Sequence, residues 1–277
     1  MSKRNEKYEQ ILLLGCDVNQ DTINTPNATP QDRCRRSDAT VVLSLDKKTG
    51  KARLISLFRD VWVQIPEHGP CKLNEVVVHA DPETAVRVVN ECFGLCIRNY
   101  VLITLTGLVD LVDLLGGVDV SLTAAEAQYI NERMPEVTII TERPGNVAAV
   151  AEGQNRLNGM QTLAHVRNRT IGQIIGRENR VNNVLTAMAQ RAKREMRPRQ
   201  LLRFALKAKK YVRTDLSFSD ILRLVRFARH ADLNTIAAYH APAENTFTVK
   251  TDGVWRMEVD FARAGTMLWN FLERQDL

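Results

Sequence analysis

No run in this 277-residue chain approaches the ~18 apolar residues that a membrane-spanning helix requires. The first ten residues, MSKRNEKYEQ, are polar and lack the apolar stretch of a signal peptide. Either the native protein starts here in the cytoplasm, or the chain has been cut just after a membrane anchor. No CxxC pair occurs and the histidines are scattered, so Cys16, Cys34, Cys71, Cys92 and Cys96 fit no zinc pattern. Their odd number leaves at least one thiol unpaired. Internal repeats and flexible linkers are missing too, which favours one domain. Acid is in short supply: 32 Asp and Glu face 38 Lys and Arg, for a formal charge of +6. That imbalance points to an anionic partner without choosing among a phosphate-rich ligand, nucleic acid and a membrane surface.

Hydrophobic content of 44% with 25% charge belongs to an ordinary folded chain. The pattern predicts strands over 11–14, 40–45, 52–57, 61–65 and 118–120, with 40–57 closing as a hairpin around Gly50. Helical spacing appears at 83–93, 107–115 and 181–194, and again after Pro198, over 219–229 and over 260–273. Edge strands are expected at 235–239 and 246–250, and loops at 18–36 and 132–155, the latter from Pro135, Pro144 and Gly145. Helices alternating with strands argue for a layered α/β domain.

The segment DRCRRSD, residues 32–38, crowds three arginines and two aspartates against the start of a strand. A solvated loop with weak surface ion pairs would do that, and so would a site for a polyanion and its metal. Other charges also fall at strand ends, where α/β sheets bind ligands. Asp17 follows the first strand, Arg36 and Asp38 open the second, and Arg59 and Asp60 close the third. Lys72 and Asn74 lie in the loop after the fourth. Arg167 and Arg169 are two apart and would point the same way in an extended segment. Arg177 and Arg180, three apart, would share a face in a first helical turn, itself a phosphate seat. Forked guanidinium groups suit phosphate, and a pair of carboxylates nearby suits magnesium. His79 and His165 read as structural.

The ordered set GxD, RSD, LISLFRDVWVQIP, KxN, GLVDLVDLLGGVDV, LNGMQTLAHVRNR and GRxxR resembles the LytR–CpsA–Psr family of bacterial cell-wall enzymes, over about Leu12 to Leu185. The resemblance implies a three-layer α/β/α domain with a central mixed sheet over 11–277, residues 200–277 being its helical and edge-strand tail. It implies that 1–10 is a remnant beside a single-pass anchor, with the domain on the extracellular face of the membrane. The implied activity transfers a glycopolymer (teichoic acid or capsule) from an undecaprenyl-pyrophosphate carrier onto a peptidoglycan sugar hydroxyl, as a phosphodiester. Polyprenyl-linked polymer, peptidoglycan and membrane are then the partners, and no nucleic acid is expected.

By the same resemblance Arg36, Arg59, Lys72, Arg167, Arg169, Arg177 and Arg180 would grip the pyrophosphate. Asp17 and Asp38 would hold Mg2+, with Mn2+ as a substitute. Arg59, Asp60 and Asp38 would be the catalytic residues, Asp60 as general base or orienting group. Three departures stand out: Asn19 where many members carry arginine, Phe58 where many carry proline, and Val181 where glutamine is common. Arg33 or Arg35 could substitute for the arginine missing at 19. An extracellular setting makes a Cys92–Cys96 bridge the expected disulfide. Alternatives are a pyrophosphate hydrolase on the same lipid-linked substrate and a non-catalytic binder of anionic polymer, for which Lys207, Lys209 and Lys210 are the candidate basic patch.

Overall fold

The computed structural model describes residues 6–18, 34–144 and 147–274. In chain order the strands are β1 (Tyr8–Val18), β2 (Cys34–Asp46), β3 (Lys51–Leu57), β4 (Trp62–Ile65), β5 (Gly69–Lys72) and β6 (Asn99–Thr104). They continue as β7 (Val118–Leu122), β8 (Gly153–Leu157), β9 (Val212–Thr214), β10 (Asp232–Ala241), β11 (Phe247–Lys250) and β12 (Arg256–Val259). The longer helices are α1 (Pro82–Phe93), α2 (Leu105–Leu115), α3 (Ala124–Thr141), α4 (Gly159–Arg167), α5 (Gln173–Glu195), α6 (Pro198–Ala208), α7 (Phe218–His230) and α8 (Phe261–Glu273). Among the described residues, no helix is long and apolar enough to cross a membrane. Two compact units emerge, one of Met1–Thr104 with Arg213–Leu277 and the other of Leu105–Val212.

The first unit carries a six-stranded sheet in the order β10-β3-β2-β1-β6-β9. Its centre is antiparallel (β1 with β2, β2 with β3), while β6 and β10 add in parallel, making the sheet mixed. The expected hairpin forms, pairing Thr40 with Leu57 and Leu45 with Ala52. Residues 52–57 are buried without alternation, Arg53 and Ser56 included, so β3 is covered on both faces. Leu12, Leu14, Val42, Ile55 and Leu57 build one core with Val88, Val89 and Phe93 of α1 and Leu268 and Leu272 of α8. Each large side chain fully buried there contributes roughly 1.5–3 kcal/mol. Asp81 caps α1 by accepting from the Thr84 N–H, Pro82 occupies its first turn, and left-handed Gly94 ends it.

The second unit packs Val109 and Val112 of α2 with Ile130 of α3, Leu157, Leu163 of α4 and Val184 of α5. Here the sequence pattern misleads in two places. The loop predicted over 132–155 is helical up to Thr141, because the Thr123–Glu126 capping box launches α3. Pro135 does not stop it: Ile130, Val137 and Thr141 stay buried on both sides of the proline. Residues 157–166, whose spacing matches neither a strand nor a helix cleanly, resolve into the end of β8 and most of α4, capped reciprocally by Asn158 and Gln161.

The expected Cys92–Cys96 bridge is absent, since both thiols are free, as is Cys71. Cys96 is held elsewhere: its N–H and its Sγ both donate to Oε1 of Gln10, at 2.9 and 3.2 Å. Burial pushes the Cys92 thiol up to about 12. The disulfide falls on Cys16 instead, in β1 immediately before Asp17.

Candidate functional site

At the end of β1 and the start of β2 the pairing is irregular. Gly15 faces Ala39 and Cys16 faces Ser37, so Asp38 is the extra residue of a β-bulge; Asp17 then faces Arg36. Bulges re-aim side chains at sheet ends, and this one breaks the alternation that would otherwise tie Asp38 to its neighbours. Asn19 and Arg33 lie outside the described residues, as does the side chain of Arg35.

Asp38, Arg59, Asp60 and Lys72 come together as a chain of alternating charge. Arg59 donates through Nη1 to Asp38 at 3.0 Å and through Nε to Asp60 at 3.3 Å. Lys72 Nζ donates to the other oxygen of Asp60 at 2.8 Å. Both carboxylates are largely covered, at 15% and 12% side-chain exposure, while Arg59 remains 36% exposed. Burial opposes the charge on Arg59, but Asp38 and Asp60 outweigh it and hold the guanidinium pKa above its usual value. Two edges of the guanidinium are thus pinned, and its Nη2 has no protein partner among the described residues. This is a pre-organised donor beside solvent. Arg36 pairs instead with Glu75 at 2.9 Å, and Asn74 is buried next to it.

The composition of this cluster bears on a metal ion. Asp17, Asp38, Asp60 and Glu75 are four carboxylates against three cations, Arg36, Arg59 and Lys72. A diphosphate would therefore meet no net positive charge from these groups, and a divalent cation would supply it. No group of three or more acidic, His or Cys ligands exists among the described residues. The described residues thus offer no all-protein cage, and magnesium needs none: it takes one or two carboxylates and completes its shell with water and phosphate. Asp17 and Asp38, on adjacent strands at the bulge, are the residues that fit.

Within the second unit, Arg167 and Arg169 line one open cavity of about 240 Å³ with Tyr129, Arg133, Glu136, Val137, Ala164 and Thr170. The extended segment expected there is not the cause. Arg167 ends α4 and Arg169 follows the capping residue Asn168, whose Oδ1 accepts from the Thr170 and Ile171 N–H groups. Arg167 lies 3.6 Å from Glu136. Arg177 and Arg180 do not occupy a first helical turn, because α5 already begins at Gln173 after left-handed Gly172. Arg180 points inward, donating to the carbonyls of Asn168 and Ile171 at 2.5 and 2.9 Å, with Glu126 at 3.6 Å. It braces the loop that carries Arg169. Arg177 is mostly buried beside Glu178.

The GLVDLVDLLGGVDV segment turns out to be structural. Asp110 and Asp113 both accept from Arg143, and Asp113 also accepts from the Gly159 N–H at 2.7 Å. Gly159 has to be glycine, since a Cβ would lie 2.3 Å from the Val109 carbonyl oxygen. Sequence reasoning missed Glu75, Glu126 and Glu136, the acidic partners of the arginines, because nothing in their local pattern separates them from surface glutamates. It also missed Trp62 and Trp255, which flank Lys72.

The LytR_cpsA_psr family model matches residues 1–270 of the chain. The polyisoprenyl-teichoic acid–peptidoglycan teichoic acid transferase TagT of Bacillus subtilis (strain 168) is 29% identical over 183 residues, covering 66% of this chain and 52% of that protein. A TagU of the same description from Enterococcus faecalis (strain ATCC 700802 / V583) is 27% identical over 232 residues, 82% of this chain and 68% of that one. The chain thus spans about half to two thirds of the length of these relatives. Among solved structures, TagT with bound octaprenyl pyrophosphate lipid superposes with a TM-score of 0.68 at 22% identity, over 99% of this chain and 94% of that one.

Proposed function

The chain belongs to the LytR_cpsA_psr family, and on that premise we propose that it is a magnesium-dependent phosphotransferase of the cell envelope. Its donor is a glycopolymer on a polyprenyl pyrophosphate, undecaprenyl in the cell, and its acceptor is a peptidoglycan sugar hydroxyl. The acceptor oxygen forms a bond to the phosphorus that carries the polymer as its O–H bond breaks, the proton passing to the leaving phosphate. The bond from that phosphorus to the bridging oxygen breaks, and polyprenyl monophosphate leaves. The observation that carries this reading is the Asp38–Arg59–Asp60–Lys72 chain, which aims a fixed fork outward with no reorganisation needed.

In this reading Arg59 takes phosphate oxygens through its uncommitted edge and offsets the charge that grows as the bridge breaks. Lys72 adds a second cation. Asp60, with both oxygens already accepting from these two, orients them. Asp17 and Asp38 would hold the magnesium ion, which when bound supplies charge neutralisation between phosphates. Arg167 and Arg169 offer a second anion-binding surface, shaped from within by Arg180. An outward-facing location fits the disulfide at Cys16.

The test is a transfer assay with a short lipid-pyrophosphate glycan and a peptidoglycan oligomer, with magnesium and with chelator. Transfer that needs magnesium and is lost in Arg59→Ala and Asp38→Ala is expected. Release of phosphorylated glycan without transfer would replace the reading by hydrolysis.

One feature favours a second reading, a holder of anionic polymer. Arg199, Arg203 and Lys207 of α6 are all exposed, as is Lys210, and no acidic residue occurs between Glu195 and Asp215. Binding of polyanion that weakens steeply with salt, without turnover, would support it.

A further inference from the structure

We propose that Trp255 is the stacking platform of a pyranose subsite beside Lys72. The inference rests on the transferase reading and names a subsite within it. Trp255 is 39% exposed, next to Val254 at 49%, in the turn between β11 and β12. The position is fixed: the Met257 N–H donates to the Asp60 carbonyl at 2.9 Å, and Val61 bridges to Met257. The turn therefore hangs on the same residue that orients Arg59 and Lys72. Lys72 Nζ, 2.8 Å from Asp60, lies 5.7 Å from the centre of the Trp255 ring. A single cation links the reacting cluster to the indole.

The surroundings select the ligand. Arg256 lies over Trp62 at 5.2 Å, and Trp62 faces Lys72 directly across β4–β5. Arg256 is itself held by Asp252 at 2.7 Å and Glu258 at 2.9 Å. An isoprenoid chain would need a continuous apolar surface, and this one is broken by four charged side chains. A second phosphate would meet the carboxylates of Asp252 and Glu258. A neutral polyhydroxyl ring suits both features: its apolar face covers the indole, and its hydroxyls reach alternating donors and acceptors. The Trp255 indole N–H, with no partner among the described residues, adds a donor at the rim. The ring could be the first sugar of the lipid-linked donor or a sugar of the acceptor strand.

The test compares wild type, Trp255→Ala and Trp255→Phe by intrinsic fluorescence and by calorimetry. The probes are a β-1,4-linked N-acetylglucosamine oligomer, a short-chain prenyl-pyrophosphate glycan and the same prenyl pyrophosphate without sugar. Trp255→Ala is expected to weaken a sugar-bearing probe by about tenfold and Trp255→Phe by less, since a smaller ring still stacks. The sugar-free lipid should bind all three proteins alike. Weakening of the oligomer assigns the platform to the acceptor, and weakening of the lipid-linked glycan alone assigns it to the donor. Both sugar probes binding Trp255→Ala as tightly as wild type would overturn the subsite. If wild type transfers no polymer yet loses sugar binding on Trp255→Ala, the transferase reading falls and the subsite stands.

Discussion

Replacing Arg59 by lysine keeps the charge and removes the fork, so it isolates geometry from electrostatics. Arg59 makes two charge-assisted hydrogen bonds, at 3.0 Å to Asp38 and 3.3 Å to Asp60. An ammonium on a flexible stem has donors for both carboxylates but no planar fork to hold them in this geometry with an edge left over. A hydrogen bond to a charged group contributes about 1.5–3 kcal/mol when sheltered. Arg59 is 36% exposed, so solvent screening reduces the stability cost to about 1 kcal/mol. For a chain of this size that lowers Tm by about 2–4 °C. The rate should suffer far more, because one pre-organised donor facing developing charge accounts for about 10²–10³ in kcat. Arg59→Lys is therefore expected to lose about a hundredfold in transfer rate while melting close to wild type. Initial-rate transfer to a peptidoglycan oligomer, paired with a thermal melt, measures both. Retention of the rate within about twofold would refute the reasoning, because charge alone would then suffice.

Three further outcomes are expected. His165 is 2% exposed, and burial, aided by Arg180 and opposed by Glu126, depresses its pKa to about 4. The unfolded chain then binds the proton more readily, so stability is full above about pH 6.5 and falls between there and pH 4, by about 3 kcal/mol in total. Urea titrations of wild type and His165→Gln should converge on acidification, and parallel curves would remove His165 as the cause. Gly159→Ala should lower stability by about 3 kcal/mol or more, since backbone rather than a movable side chain stands 2.3 Å from the new Cβ; an unchanged melt would contradict the close packing of α4 on α2. Alkylation of denatured, unreduced protein should label Cys71, Cys92 and Cys96 and spare Cys16, and labelling of Cys16 would rule out its disulfide.

Much of the fold can be read from the chain because its strands are locally marked. Leu54, Ile55 and Leu57 put apolar side chains on both faces of one strand, Gly50 turns the hairpin, and Asp81, Pro82 and Gly94 bracket α1. The signal fails where a local rule is overruled by burial. Pro135 looks like a stop but sits in a helix whose flanking turns are anchored in the core. Cys92 and Cys96 look like a pair, yet Gln10, 86 residues from Cys96, holds that cysteine.

For the site, residue type and order alone identified Arg59, Asp60, Asp38 and Lys72 as candidates, because guanidinium, ammonium and carboxylate groups at strand ends suggest anion chemistry. What they do with one another was beyond its reach. The bulge that makes Asp38 an extra residue depends on a pairing register, and the second pin on Arg59, beside the one from its neighbour Asp60, depends on the start of β2 meeting the end of β3. Arg180 shows the converse: its spacing suits a phosphate, but its side chain is consumed by two carbonyls of its own unit. The sequence by itself determined which chemistry is available, because that is a property of side chains. Only the tertiary structure decided which charges are neutralised, braced or left facing solvent, because those depend on distances between residues far apart in the chain.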